Sequence, residues 1–484
     1  MANVATEEAK KNAFDFDPGL PVPNPTVPMW QVPLHSLANV ASETLPDTAD
    51  VVVIGSGMTG CSVTKTLLEG DPMLRISVLE ARGLASGASS RNGGHIISPS
   101  FGDFPKLVAG WGREMAAKIA NFTLENCEKT FEMVDALNEP ELKERSEIRR
   151  TEKVLVLNDE SIVNEAKETL KVWNEAMPEC HRDKYRFIGG KVAEEKYGLK
   201  NVAGACVGSA AAVWPYRLWS GIWELLLKRH KDRLTIETHT PVTEVQRDDA
   251  SDDARFPYRV TTPRGVVRAA RVVYCTNGFT PHLIPRLRGK IFPWRGTMSC
   301  QDLGPAFPNA GAARSWSFVS ESRVDPELGV PNAGLYYLTQ NPTSGRMFLG
   351  GENERLENII SSDDGRLNPN SAKKIGHVLP ALFQNVESAP RVEKVWSGIM
   401  GFTRDGSPLV GRLPEAVTGR PEGGEWIAAG FNGFGTGYCF RCGQAVGEMM
   451  LGKTVDWLPD VFYVTKDRLE DSLVSGSFHG GLLP

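Results

Sequence analysis

The residues Asp50-Val51-Val52-Val53-Ile54 run directly into Gly55-Ser56-Gly57-Met58-Thr59-Gly60. An unbroken Val/Ile run predicts a strand buried on both faces, and three spaced glycines predict a tight turn that opens a helix through Cys61 to Leu68. Gly55 permits the turn, Gly57 lets the backbone approach a pyrophosphate, and Gly60 lets the helix pack closely on the strand. Phosphates then sit at the helix N-terminus, where unpaired amides favour an anion. The next predicted strand, Ile76-Ser77-Val78-Leu79, runs into Glu80, 25 positions after Gly55. An acid at that point accepts a hydrogen bond from a ribose hydroxyl; Ala81 and Arg82 follow it. This order predicts a dinucleotide site and leaves NAD and FAD both open.

The remainder of the chain bounds the problem. At 484 residues it suits two interleaved domains or one large α/β body. Its 59 acids and 54 bases are not strongly clustered, which removes the electrostatic footprint of nucleic-acid or anionic-membrane binding. No apolar run reaches the roughly 20 residues of a membrane span, and residues 1–20 lack a signal-peptide core. A cytoplasmic location is the expectation. The eight cysteines read as reduced, buried thiols. Cys439-Phe440-Arg441-Cys442 has neither a second Cys pair nor a nearby His, so no metal site is expected.

Read in order, the segments alternate between two structural units. Residues 1–48 carry several prolines and no sustained periodicity, which predicts an extended arm over the body. Segments 49–100, 201–290 and 396–453 are assigned to the dinucleotide unit, and 101–200 and 291–395 to a second domain. Residues 454–484 form a tail. Apolar residues from Leu107 toward Leu137 recur at helical spacing. Tyr258–Thr261 and Val266–Ala269 predict a hairpin about Pro263-Arg264-Gly265. Arg271–Cys275 predicts a separate buried strand that ends in Thr276-Asn277-Gly278, small residues suited to close backbone approach. Trp426–Gly430 predicts a last buried strand, followed by a glycine loop and a helix from Tyr438 to Leu451.

Several stretches then act together: Gly55–Gly60, the loop through Arg91-Asn92-Gly93-Gly94-His95, Pro293-Trp294-Arg295-Gly296, Thr403-Arg404-Asp405-Gly406-Ser407-Pro408, and Gly430–Gly435. In this chain order they resemble the FAD-dependent D-amino-acid oxidase superfamily, within it the glycine/sarcosine oxidase and gamma-glutamylputrescine oxidase branch. The resemblance covers about residues 50–452. It implies an α/β fold in which a Rossmann-like FAD-binding domain, assembled from discontinuous segments, joins an α+β substrate domain with a mixed sheet. It further implies that Gly55, Ser56, Gly57, Met58, Thr59 and Gly60 hold the pyrophosphate and that Glu80, with Ala81 and Arg82 beside it, takes the ribose. Ala88, Ser89, Arg91, Asn92, Gly93 and Gly94 would line the path to the flavin, with Val242 near adenine and Thr276, Asn277 and Gly278 at the strand edge. Gly433, Phe434, Gly435 and Thr436 would bring backbone amides to the pyrimidine end of the flavin, where they stabilise developing negative charge.

Departures from the resemblance carry as much information as the matches. The relatives' oxygen-activating lysine falls on Phe348, and their flavin-linking cysteine and histidine fall near Gly398 and Arg91, so non-covalent FAD is expected. Their two carboxylate-clamping basic residues fall near Ser98 and Gly437, neither of which pairs with an anion, which leaves Arg295 or Arg404 as candidates. His95, beside the cofactor loop, reads equally as a proton acceptor and as a structural histidine. Tyr336 and Tyr337 alternate on one strand, so one of them faces the flavin cavity; Tyr336 is taken, with His95 and Arg404, as the catalytic set.

The resulting expectation is an FAD-dependent oxidase or dehydrogenase that oxidises the CH–NH bond of a small-molecule amine to an imine. Its electron acceptor is oxygen or another molecule, and no nucleic-acid partner is expected. Two alternatives stand beside it: desaturation or cyclisation of a larger nitrogenous natural product, and a flavin-binding subunit or sensor without turnover.

Overall fold

The computed structural model describes residues 14–248, 253–321, 323–324, 331–332, 334–351, 356–367, 369–421 and 423–471. Two sheets organise them. In the first, Thr48–Ile54 lies at the centre, parallel to Ile76–Leu79 on one side and to Gly265–Tyr274 on the other. Leu234–Glu237 and Glu425–Ala429 extend the parallel set outward. Ile54, Leu79 and Tyr274 share one register row. The strands therefore end together, and their C-terminal edge forms the crevice where α/β sheets bind ligands.

The apolar run behaves as its composition requires: Val51, Val52 and Val53 are fully buried. Val51 and Val53 face the helices Met58–Gly70, Pro215–Arg229 and Gly435–Met450, while Val52 and Ile54 face the core beneath the hairpin. That hairpin pairs Tyr258–Thr262 with Gly265–Tyr274 around Pro263 and Arg264. Its second arm is continuous with the Arg271–Cys275 run, so the two strands predicted separately are one. With a turn at one end and the parallel ladder at the other, nothing interrupts the backbone hydrogen bonding between them.

The second sheet contains nine strands, in the order Arg391–Thr403, Ile291–Asp302, Met347–Gly350, Leu335–Gln340, Arg314–Val319, Arg149–Leu157, Gly204–Ala212 and His95–Ile96, with Arg186–Gly189 paired off the path. Gly204–Ala212 and His95–Ile96 thus lie with the second sheet rather than with the nucleotide segments with which their sequence neighbours group them. Antiparallel pairing captures them: Gly204–Ala212 matches Arg149–Leu157 along nine residue pairs, and His95–Ile96 adds two pairs at its far edge. The helix Ser100–Leu137 lies against Glu160–Ala176 and Gly435–Met450 and bends at Gly112, whose φ is +79°.

The described part of the arm is packed against the body. Trp30 is 3% exposed, and the Thr26 amide donates to the Asp364 carbonyl at 2.9 Å. The C-terminal segment is also anchored: Leu458 and Phe462 join the main core, and Arg468 pairs with Asp405 at 2.7 Å. All eight cysteines are free, and Cys180 is exposed rather than buried. Among the described residues no helix is long and apolar enough to cross a membrane.

Candidate active site

A cavity of about 690 Å³ runs from the Gly55–Thr59 turn to the second sheet. At the nucleotide end Gly55, Gly57, Met58 and Thr59 line it. Ser56 and Gly60 do not, because each supports the turn from behind. The Ser56 hydroxyl donates to Glu80 Oε2 at 2.7 Å and accepts the Ala85 amide at 2.8 Å. A Cβ on Gly60 would lie 2.0 Å from the Gly55 carbonyl oxygen, the close approach of helix to strand that this turn needs. Glu80 reaches the cavity pinned by the Ser56 amide, the Ser56 hydroxyl and the Arg82 amide. Ala81, Arg82 and Val242 line the same end.

Next to it lies a cluster that the sequence did not expose. Asp364 is fully buried and lines the cavity. Arg82 Nη1 reaches its two oxygens at 2.8 and 3.1 Å, and Arg91 Nε lies 3.5 Å away. Burial lowers the Arg91 pKa to about 10, which Asp364 opposes and Arg82 reinforces. Two guanidiniums against one carboxylate leave a net positive charge in a desolvated wall. Asp364 follows the strands by a loop without periodicity, so only the folded chain brings it to Arg82 and Arg91.

Ala88, Ser89, Asn92 and Gly93 continue the lining. Gly94 lies behind them at φ +70°, where a Cβ would meet the Val213 carbonyl oxygen at 2.7 Å. On the opposite side Thr276 and Asn277 line the cavity, whereas Gly278 is pressed against the Met400 carbonyl oxygen, 2.7 Å from where its Cβ would stand. Gly433, Phe434, Gly435 and Thr436 close the far end. Gly435 and Thr436 open the helix Gly435–Met450, whose first amides have no intrahelical acceptor.

The three residues taken as catalytic separate. His95 lines the cavity and is 6% exposed, with Nε2 unpartnered. Burial, then the charges of Lys153 and Arg149, lower its pKa to about 3. The imidazole is therefore neutral, a hydrogen-bonding group rather than a proton acceptor for an ammonium. Tyr336 does not face the cavity: it packs on the opposite side of its strand, against the cluster of Val154 and Val156. Tyr337 takes the cavity position, its ring against Gly93. Arg404 also lies elsewhere, with Nε donating to the Gly289 carbonyl at 2.6 Å; its loop turns away from the cavity edge. Arg295 is the arginine of that pair that lines the cavity.

Ser98 and Gly437, near which the resemblance places a carboxylate clamp, are adjacent in space but closed. A Cβ on Gly437 would meet the Ile97 carbonyl oxygen at 2.6 Å, and the Ser98 hydroxyl lies 2.7 Å from that of Thr123. Beyond them the cavity continues over the second sheet past Lys153, a residue to which no motif drew attention.

The residues present suit an FAD. The glycine turn brings the backbone of Gly55 and Gly57 to the cavity edge, the acid is pre-set by three hydrogen bonds, and a further set of helix-opening amides lies at the other end of the same cavity.

Comparison with known proteins agrees with this geometry. Residues 50–449 match the family described as FAD dependent oxidoreductase. A curated relative, the probable oxidoreductase OrdL of Haemophilus influenzae, is 22% identical over 424 residues, covering 84% of this chain and 83% of its own. Among solved structures, glycine oxidase from Geobacillus kaustophilus superposes with a TM-score of 0.65 at 18% identity, over 87% of this chain and 99% of its own. L-proline dehydrogenase from P. horikoshii gives 0.62 at 18% identity, over 87% and 97%.

Proposed function

The chain belongs to the FAD-dependent oxidoreductase (DAO) family, and from that premise we infer that it oxidises a carbon–nitrogen bond of an amine to an imine. FAD, when bound, takes two electrons and a proton from the carbon beside the nitrogen. The protein's part is to bind, orient and exclude water. Gly55, Gly57 and Thr59 would hold the phosphates and Glu80 the ribose, with Gly433–Thr436 at the pyrimidine end.

One observation carries the substrate side of this reading: the neutral imidazole of His95, its Nε2 buried without a partner, borders the same cavity as those amides. A neutral His95 does not compete with the substrate nitrogen for its proton. Lys153 and Arg149, whose charges act on His95, also disfavour a further cation nearby, so the amine is held in the neutral form that oxidation requires. Tyr337 forms the wall across from them. The relatives named as glycine oxidase and L-proline dehydrogenase support chemistry at an amine carbon.

A larger nitrogenous substrate is the second reading, favoured by the continuation of the cavity past Ile162, Val319 and Leu335. Anaerobic titration of the FAD-loaded protein with a panel of amines tests both. Bleaching of the flavin band by a small amine supports the first reading, and bleaching only by extended substrates supports the second. A flavin that bleaches with none of them overturns both and leaves a flavin-binding subunit. Admitting oxygen after bleaching separates an oxidase from a dehydrogenase by the speed of reoxidation.

A further inference from the structure

Lys153 is the fifth of nine residues in the strand Arg149–Leu157 and projects into the cavity from the floor of the second sheet. Its cross-strand neighbours are Gly208 on one side and Ser315 on the other. Gly208 is covered by the Tyr185 ring, which would stand 2.4 Å from a Cβ there, and Tyr185 stacks on Phe101 at 4.0 Å. Leu155, Leu157, Ile162 and Val319 form the surrounding wall. Among the described residues, the Lys153 ammonium has no carboxylate or hydrogen-bond acceptor. Neither of the acids that border this lobe, Asp103 and Glu165, forms an ion pair with it, and Asp103 lies 3.7 Å from Lys106. In sheet order Lys153 stands between Tyr337, two strands away on one side, and His95, two strands away on the other.

An unpaired cation in an apolar lobe is costly, because desolvation is not offset by a counter-ion. Such a group in a cavity is a mark of ligand recognition rather than of folding. The basic residues that clamp a carboxylate in the relatives are replaced here at closed positions, Ser98 and Gly437, so an acid has to be met elsewhere. We propose that Lys153 is the acid-recognition residue of the substrate site: it holds a carboxylate or other acidic group that the amine substrate carries away from the reacting carbon–nitrogen bond. This rests on the amine-oxidation reading for the word substrate, but the binding of the acid does not depend on turnover. The inter-strand spacing of about 4.8 Å puts the Lys153 strand roughly 10 Å from the strands of both His95 and Tyr337, farther than the α-carboxylate of a simple amino acid lies from its own nitrogen. The substrate class is therefore an amino acid with a distal acid, or an acidic amine of similar length.

The test is equilibrium binding to the oxidised, FAD-loaded protein, followed by perturbation of the flavin absorbance. Matched probes differ only in charge: butyrate against butyramide, and phenylacetate against phenylacetamide. Wild-type protein is expected to bind each acid about tenfold or more tightly than its amide near neutral pH, as a charge-assisted hydrogen bond requires. K153M is expected to abolish the preference and K153R to retain part of it. The wild-type preference should also fall as the pH rises past about 8, the value to which burial lowers Lys153. The surrounding titratable groups do not mimic this. Burial pushes Cys127 of the overlying helix and Cys206 of the neighbouring strand up to about 12, raises Tyr185 beyond its usual range, lowers His95 to about 3 and leaves Arg149 near 10. Equal affinity for acid and amide in the wild type overturns the proposal, as does a preference that survives K153M or is lost only in Arg295→Met. The wild-type pH series decides the matter even if K153M fails to retain flavin. A protein that prefers the acids yet is reduced by no amine would sink the amine-oxidation reading and leave the acid site standing.

Discussion

The indole of Trp30 lies flat on the ring of Phe348, with centroids 3.6 Å apart and planes within 9°. Trp30 belongs to the N-terminal arm and Phe348 to the second sheet, and Trp30 Nε1 donates to the Asn92 carbonyl of the cofactor loop at 2.6 Å. One side chain thus ties three segments that are far apart in sequence. Phe348, where the resemblance places an oxygen-activating lysine, is fully buried beneath the indole.

Trp30→Ala is expected to cost about 3–5 kcal/mol, the range for removing a buried large aromatic, and to loosen flavin retention because Asn92 lines the cavity. Trp30→Phe keeps the stacking and loses the indole hydrogen bond, at about 1 kcal/mol. Denaturant unfolding and flavin loss on dialysis measure the two. If Trp30→Ala matches wild type in both, the arm does not support the site.

Asp364 holds Arg82 and Arg91 in a desolvated wall. Asp364→Ala leaves two buried guanidiniums without their carboxylate, and a cost of about 3–5 kcal/mol is expected. Asp364→Asn keeps the shape and some hydrogen bonding, so it should fall between wild type and the alanine variant. Urea midpoints of the three proteins check the order, and an alanine variant as stable as wild type would show that the pair contributes nothing net.

Tyr337 and Tyr336 differ in which side of one strand they occupy, and their alanine variants should differ in kind. Tyr337→Ala opens the cavity wall beside Gly93 and is expected to shift the flavin absorbance and raise KM. Tyr336→Ala removes packing on the Val154 and Val156 side and should lower stability by about 2–4 kcal/mol with kinetics unchanged. Arg404→Ala, which removes a bond to the Gly289 carbonyl, should leave kcat and KM at wild-type values. A Tyr336 or Arg404 variant with altered kcat and normal stability would reverse these assignments.

How far the sequence was legible follows from these residues. The Gly55–Gly60 turn and Glu80 were readable because their chemistry is local: φ, close approach and spacing are all written within one βαβ unit. The choice between Tyr336 and Tyr337 was not readable, because alternation fixes that one of them faces the cavity and only the packing of the neighbouring strands fixes which. Asp364 and Lys153 were invisible for a further reason. One sits in a loop without periodicity and the other is a single charge in a strand, and both acquire meaning only from partners, or from the lack of partners, in three dimensions. Gly204–Ala212 precedes the helix Pro215–Arg229 in sequence yet belongs to the second sheet, held there by a long-range ladder that no local pattern announces.

The pH dependence of stability reports on His95. Its folded value of about 3 lies below the unfolded value of about 6.5. Between those limits the unfolded chain holds more protons, so stability rises with pH across the window and is lost as the pH falls from 6.5 toward 3. At pH 5 the expected loss from this residue is about 2 kcal/mol. His35, His181 and His230 are also lowered by burial but are more exposed, so the comparison of His95→Gln with wild type isolates the buried group. The difference between urea midpoints at pH 7.5 and pH 5 is expected to be smaller in the variant than in wild type, and equal pH slopes would show that His95 does not stay neutral in the fold.

Gly57 and Gly60 both lie in the turn that opens the cofactor helix, yet their alanine variants should respond differently to a second change. At Gly60 the obstacle is backbone: a Cβ would stand 2.0 Å from the Gly55 carbonyl oxygen, and only separation of helix from strand relieves it. At Gly57 the obstacle is the Ser89 hydroxyl at 2.8 Å, which also accepts the Met58 amide at 2.8 Å. Gly57→Ala is therefore expected to weaken FAD binding, and adding Ser89→Ala should recover part of the loss by removing the clash while giving up a bond worth about 1 kcal/mol. Ser89→Ala should recover nothing in Gly60→Ala. Flavin titration of the wild-type apoprotein, the three single variants and the two double variants by fluorescence quenching measures this coupling. Equal rescue of both glycine variants would show that Ser89 acts on the turn as a whole, whereas rescue confined to Gly57→Ala would place the contact at the glycine that lines the cavity.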